Sequence, residues 1–184
     1  MNKIEKLSRV FKWVFAVIFW GWPVVLCWIW FQGPNGFLAQ GLGFSVQHFL
    51  PGNMGSQVLE PLSLTQKLFG FGVAWIPAIV GMTIAFSLMR LFACYERGDI
   101  FTQSSIRYIK RAGLMMLIWA ILNPIYQVFI SFAVTVGNPV GERLIAISIG
   151  PDYVRNLITG GIVFLIAYIM QEGVKLREEQ ALTV

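Results

Sequence analysis

The sequence predicts an all-α integral membrane protein of four transmembrane helices with its N and C termini in the cytoplasm. Three observations predict it. The first is composition: of 184 residues, 57% are hydrophobic and 12% charged, where a soluble domain carries about 25% charged and 45–50% apolar residues. The second is distribution. The apolar excess gathers into four runs, at about 12–31, 68–91, 112–134 and 154–172, each near the twenty or so residues that cross a bilayer as a helix. The third is charge. Eleven Lys and Arg fall in the N-terminal tail, the connection between the second and third runs, and the C-terminal tail, against Lys67, Arg143 and Arg155 on the other side. The richer side reads as the cytoplasm.

The net charge of +5 is accounted for by that asymmetry. No separate basic region exists to grip a duplex, so direct nucleic-acid binding is not expected. The length suits one membrane domain over residues 1–184. Cys27 lies inside the first run and Cys94 near the inner end of the second, which disfavours a disulfide. One His and two distant Cys do not make a zinc set.

The first run, Lys12 to Phe31, follows Lys3, Lys6 and Arg9. Positive charge also precedes secretory signals. This core is longer than a signal's apolar region, and no small-residue cleavage pattern follows, so a retained anchor is expected. Pro23 should loosen its middle. Trp28, Trp30 and Phe31 should form an outer aromatic belt and Trp13 an inner one. Residues 32–62 are rich in Gly and Pro and nearly uncharged; within them Phe44–Phe49 has strand character.

Ser63-Leu-Thr-Gln66 has the form of a capping box opening the second helix, which continues to about Arg97. Along it Gly70, Ala74, Ala78 and Ala85, with Gly81 beside them, make a stripe of small residues that lets another backbone approach, within the monomer or in a homodimer. Gly98 can end this helix with positive φ. Thr102 is placed to cap the third helix, with Ser105 at its third position and Phe101 able to staple onto Ile106. Asn123-Pro124 should kink that helix near its middle. Beyond it, Arg143–Ile149 is β-rich and too short to span, which predicts a small extracytoplasmic β element shared with Phe44–Phe49. Pro151 suits the first turn of the fourth helix.

Membrane enzymes and ion pathways place ionisable groups at depth. No Asp, Glu, Lys, Arg or His lies mid-span here, and no phosphate loop, HExxH, GxSxG or paired carboxylates appear. The expectation is a protein that is not an enzyme and holds no cofactor. The intramembrane polar residues Asn123, Gln127 and Ser131 recur every four positions and so share one face of the third helix. Hydrogen bonding within the protein is the simplest use of that face. Beside the Pro124 kink it is also where a pocket would lie.

Tyr95-Glu-Arg-Gly-Asp-Ile-Phe-Thr102 is the most distinctive stretch. A structural turn accounts for Gly98, Phe101 and Thr102, and less well for Tyr95, Glu96 and Asp99. The pattern Tyr-x-x-Gly-x-Ile-Phe-Thr after the second span, with Glu172-Gly-Val-Lys-Leu-Arg-Glu-Glu-Gln180-Ala-Leu-Thr-Val184 closing the chain, resembles the bacterial membrane family catalogued as domain of unknown function 2975, over about residues 10–184. The resemblance implies a multi-pass protein of the cell inner membrane, often encoded beside a small helix-turn-helix regulator, and it carries over no catalytic residue.

The expected role is therefore regulation or protein interaction through the cytoplasmic face. That surface comprises Tyr95, Glu96, Arg97, Gly98 and Asp99 from the turn, with Lys175, Arg177, Glu178 and Glu179 from the tail. Partners in view are the lipid bilayer, a protein or helix-turn-helix regulator at that face, and a second copy of the chain. Two rival roles remain: an accessory subunit of a transporter or channel, drawn from kinks at Pro23, Pro77 and Pro124, and an immunity-type protein against a membrane-active toxin.

Overall fold

A computed structural model describes residues 3–31, 51, 62–139, 143 and 145–181. They contain four helices: α1 (Lys3–Phe31), α2 (Leu64–Glu96), α3 (Gln103–Thr135) and α4 (Pro151–Ala181). All four are long and apolar enough to cross a membrane, the architecture of a multi-pass membrane protein. At 1.5 Å per residue, the 33 residues of α2 and of α3 reach about 50 Å, beyond a hydrocarbon core of about 30 Å. The helices also run unbroken through Pro23, Pro77 and Pro124.

The chain packs as two compact units. The first comprises Met1–Trp20, Val80–Ala120 and Pro151–Val184, and the second Gly21–Ile79 and Ile121–Gly150.

In the first unit an aromatic column joins α1 to α2. Phe92 stacks on Phe11 at 5.1 Å and on Phe15 at 5.8 Å, and Phe19 meets Phe86 at 5.8 Å. Between α3 and α4 the contact is backbone-close, because glycine sits on both sides. A methyl group at Gly113 would lie 2.7 Å from the Phe164 nitrogen, and one at Gly160 would lie 2.9 Å from Met116 Cβ. Glycines of this kind let helices approach where lipid supplies no hydrophobic drive to hold them together.

In the second unit Trp30 fills the space over Gly70 and is 1% exposed. This corrects the aromatic belt: Trp28 and Phe31 are half exposed, but Trp30 is a core residue, drawn in because Gly70 leaves room for an indole ring. Ala74 and Ala78 are fully buried here, and Ala85 is buried in the first unit, so these three alanines of the stripe pack inside the chain itself.

The helix ends form as local chemistry dictates. Ser63 and Gln66 make a reciprocal capping box, the Ser63 N–H donating to Gln66 Oε1 (2.9 Å) and the Gln66 N–H to Ser63 Oγ (3.3 Å). At the far end of α2, Gly98 takes φ +86°. Its N–H donates to the Tyr95 carbonyl, and the Asp99 N–H to the Cys94 carbonyl, the two bonds of a Schellman motif. Thr102 Oγ1 then accepts from the Ser105 N–H and caps α3. Phe101, the expected staple residue, is 61% exposed, and Ile106 is buried.

Because Gly98 is exposed and an added methyl group would meet nothing within 4 Å, its conformation sets the cost of substitution. Gly98→Val should destabilise the α2–α3 hairpin by about 1–2 kcal/mol, and Gly98→Asn by less, since Asn tolerates the left-handed region. Unfolding titrations of the two variants check the ranking.

The expected β element is not seen among the described residues. Phe44–Phe49 lies outside them, and Ile145–Ile149 belongs to no helix or strand. Its backbone partners are side chains of α3, as follows.

Candidate functional site

Two groups of residues qualify as sites. The first is the α2–α3 turn with the polar end of α4, both in the first unit. The Schellman turn and the Thr102 cap fix the path from Tyr95 to Thr102. Ser105 Oγ reinforces it by donating to the Asp99 carbonyl. Arg97, Gly98, Asp99 and Phe101 are exposed, whereas Tyr95 and Glu96 are half-buried.

Glu96 is held by α1. Its carboxylate accepts from Arg9 Nε at 2.7 Å through one oxygen and from Lys12 Nζ through the other. One acidic residue at the end of α2 thus pairs with two basic residues near the start of α1, offsetting half of their charge. Around it, Phe92 stacks on Phe11 and Tyr95 meets Phe92 edge-on at 6.0 Å. The sequence places Glu96 and Arg9 on the same side of the membrane, yet their pairing spans 87 residues and has no local signature.

On α4 the outcome differs from a contact with the turn. Lys175 Nζ donates to Glu172 Oε1 at 2.9 Å, three residues away on its own helix, rather than reaching Asp99. Helical spacing makes that the nearest carboxylate. Glu179 is exposed; the side chains of Arg177 and Glu178 lie outside the described residues. The tie between α3 and α4 is Lys110, whose Nζ donates to Gln171 Oε1 at 3.2 Å and lies 6.0 Å from the Phe164 ring.

The second group is Asn123, Gln127 and Ser131 on α3, in the second unit. They do share a face, and that face is occupied by the chain's own backbone. Gln127 Nε2 donates to the Ser148 carbonyl at 3.0 Å and to Asn123 Oδ1, while Gln127 Oε1 accepts from the Ser148 N–H. Both donors and the acceptor of this amide are thereby used, and Gln127 is 7% exposed. Ser131 Oγ donates to the Gln127 carbonyl and accepts from the Ala146 N–H at 3.3 Å. The arrangement clamps the backbone of Ala146 and Ser148 against α3.

Gln66 was legible only as a cap. It is 6% exposed, and its Nε2 also donates to the Val134 carbonyl at 2.6 Å, near the C-terminal end of α3. A methyl group on Gly137 would collide with its amide. The same unit contains an apolar groove lined by Leu68, Phe69, Gly72, Val73, Ile76 and Phe129.

No curated protein and no solved structure matches the chain. A family model does, over residues 12–184, nearly the whole length; its description is protein of unknown function, DUF2975. With that match over nearly all of a chain whose four helices are long and apolar enough to cross a membrane, the chain belongs to that family.

Proposed function

We propose that this is a non-enzymatic protein of the bacterial inner membrane that regulates or recruits a protein partner through its cytoplasmic face, with both termini on that side. The observation that carries the proposal is the composition of the turn surface. Phe101, 61% exposed, stands at a tightly fixed tip beside exposed Arg97 and Asp99. An exposed aromatic with charged neighbours has the make-up of a docking anchor: the ring supplies buried area, and the charges set orientation and encounter rate. The turn is closed by its own hydrogen bonds, so binding would have little of it left to order. Glu96 serves a structural purpose, leaving Arg97, Asp99 and Phe101 as the recognition residues. A helix-turn-helix regulator and a second copy of the chain are the partners to test first.

A photo-crosslinking amino acid at position 101, in cells expressing the full chain, tests this. A discrete protein adduct is expected, lost when Arg97 and Asp99 are both replaced by Ala while insertion and abundance hold. Adducts with lipid alone, or an adduct indifferent to the double change, would remove the turn from the working surface.

A further inference from the structure

We propose that Arg90 of α2, with Arg107 and Arg111 of α3, forms a binding site for the phosphate headgroup of an anionic phospholipid. All three residues belong to the first unit and are exposed. α2 turns Phe92 and Glu96 towards α1, where they meet Phe11, Arg9 and Lys12. Its other buried group, Ser87 and Leu91, is left to face α3. α3 turns Gly113 and Met116 towards α4, which leaves buried Ser105 and Ala112 to face α2. At about 100° per residue, Arg90 falls about 80° behind the α3-facing group of α2, and Arg107 and Arg111 about 130° behind the α2-facing group of α3. The short turn makes the two helices antiparallel neighbours, so their residues advance in opposite senses. Backward displacement on both therefore puts the three arginines on one side of the pair. Their heights agree as well. Arg90 is six residues from Glu96, and Arg107 and Arg111 are four and eight from Gln103. Arg90 thus stands about 9 Å from the turn, between the other two at about 6 and 12 Å.

That height is the level of lipid headgroups. From Leu64 to Arg90 α2 advances 26 residues, and from Arg111 to Thr135 α3 advances 24. These are about 39 and 36 Å, more than a hydrocarbon core of about 30 Å. Between Lys67 and Arg90, and from Ala112 to Thr135, neither helix carries Asp, Glu, Lys, Arg or His. The arginines are the first charges met on leaving the apolar span, and their long side chains reach outward to phosphates. Leu114, one turn inside Arg111, is exposed where acyl chains begin.

Charge completes the case. Other basic side chains of this unit are engaged by the protein: Arg9 and Lys12 by Glu96, Lys175 by Glu172, and Lys110 by Gln171. Among the described residues no carboxylate pairs with Arg90, Arg107 or Arg111. The Arg90 guanidinium lies 5.2 Å from the Phe86 ring, a cation–π contact that holds it in place and leaves its N–H groups for an anion. Three clustered guanidinia repel one another, and a phosphate accepting from several of them relieves that repulsion. Basic pockets between membrane helices hold anionic headgroups in this way.

The test places the full chain in phosphatidylcholine vesicles with a trace of spin-labelled phosphatidylglycerol or spin-labelled phosphatidylcholine, and reads the motionally restricted fraction of each. Both leaflets carry the label, so the reading holds whichever way the turn faces. The wild type is expected to prefer the glycerol lipid by about fivefold or more, the effect of at least one basic residue near a membrane surface. Arg90→Gln with Arg111→Gln should remove most of that preference, and Arg90→Lys with Arg111→Lys should restore much of it. Lys3→Gln with Lys6→Gln removes equal charge from exposed positions of α1 and should leave the preference intact. Inorganic phosphate at constant ionic strength should not compete. No preference in the wild type would overturn the proposal, a result that stands even if a variant fails to insert. Equal losses from the two glutamine pairs would reduce the effect to net charge and overturn it too. Competition by inorganic phosphate would make the site one for a free anion and overturn the lipid assignment.

Discussion

Gly113→Ala is expected to destabilise the protein by about 1–3 kcal/mol, the range for forcing extra volume into a packed contact. The new methyl would lie 2.7 Å from the nitrogen and 3.0 Å from the α-carbon of Phe164, and backbone atoms have no rotamer to yield. Gly160→Ala should act in the same direction, since its methyl would meet Met116 Cβ at 2.9 Å and the Leu117 nitrogen at 3.2 Å. The adjacent Gly161 has nothing within 4 Å. Gly161→Ala is therefore expected to be neutral, or to stabilise by up to about 1 kcal/mol through helix propensity. Unfolding in mixed micelles by detergent titration measures all three. Equal costs at positions 160 and 161 would show that close approach of α3 and α4 is not what the glycines provide.

The second large effect is expected at Gln66. Gln66→Leu keeps the volume but removes the amide that accepts from the Ser63 N–H and donates to the Val134 carbonyl. A buried backbone group left without its partner costs about 1–3 kcal/mol. Ser63→Ala removes only the cap to the Gln66 N–H, worth about 1 kcal/mol. The same titration, with hydrogen exchange at Lys67 and around Val134, separates the two. Gln66→Leu should expose both regions and Ser63→Ala the first alone.

These residues also mark how far the sequence could be read. Chemistry within about six residues was legible: the Ser63–Gln66 box, the positive φ of Gly98 and the Thr102 cap all follow from side-chain reach and backbone sterics. The apolar runs gave the four helices for the same reason, since lipid demands a minimum length. Partners across long separations were not legible. Periodicity put Asn123, Gln127 and Ser131 on one face but could not say that the face holds a loop rather than a helix. Arg143–Ile149 reads as β-rich, but its residues could not say that side chains of α3, rather than a second strand, would bond the backbone of Ala146 and Ser148. Glu96 read as part of a free charged surface, because its partners Arg9 and Lys12 lie 84 or more residues away. Lys175, part of the same expected surface, bonds Glu172 on its own helix, the carboxylate that helical geometry offers first.

The account rests on the turn from Tyr95 to Thr102 and the polar end of α4 facing the cytoplasm together. Cysteine accessibility in intact spheroplasts tests this most directly, with single Cys at Ser104, Glu179 and Pro139 in a chain carrying Cys27→Ala and Cys94→Ala. All three positions are exposed, so labelling reports side rather than burial. The account predicts that an impermeant thiol reagent labels Pro139→Cys in intact spheroplasts and labels Ser104→Cys and Glu179→Cys only after lysis. Labelling of Ser104→Cys or Glu179→Cys before lysis would contradict it.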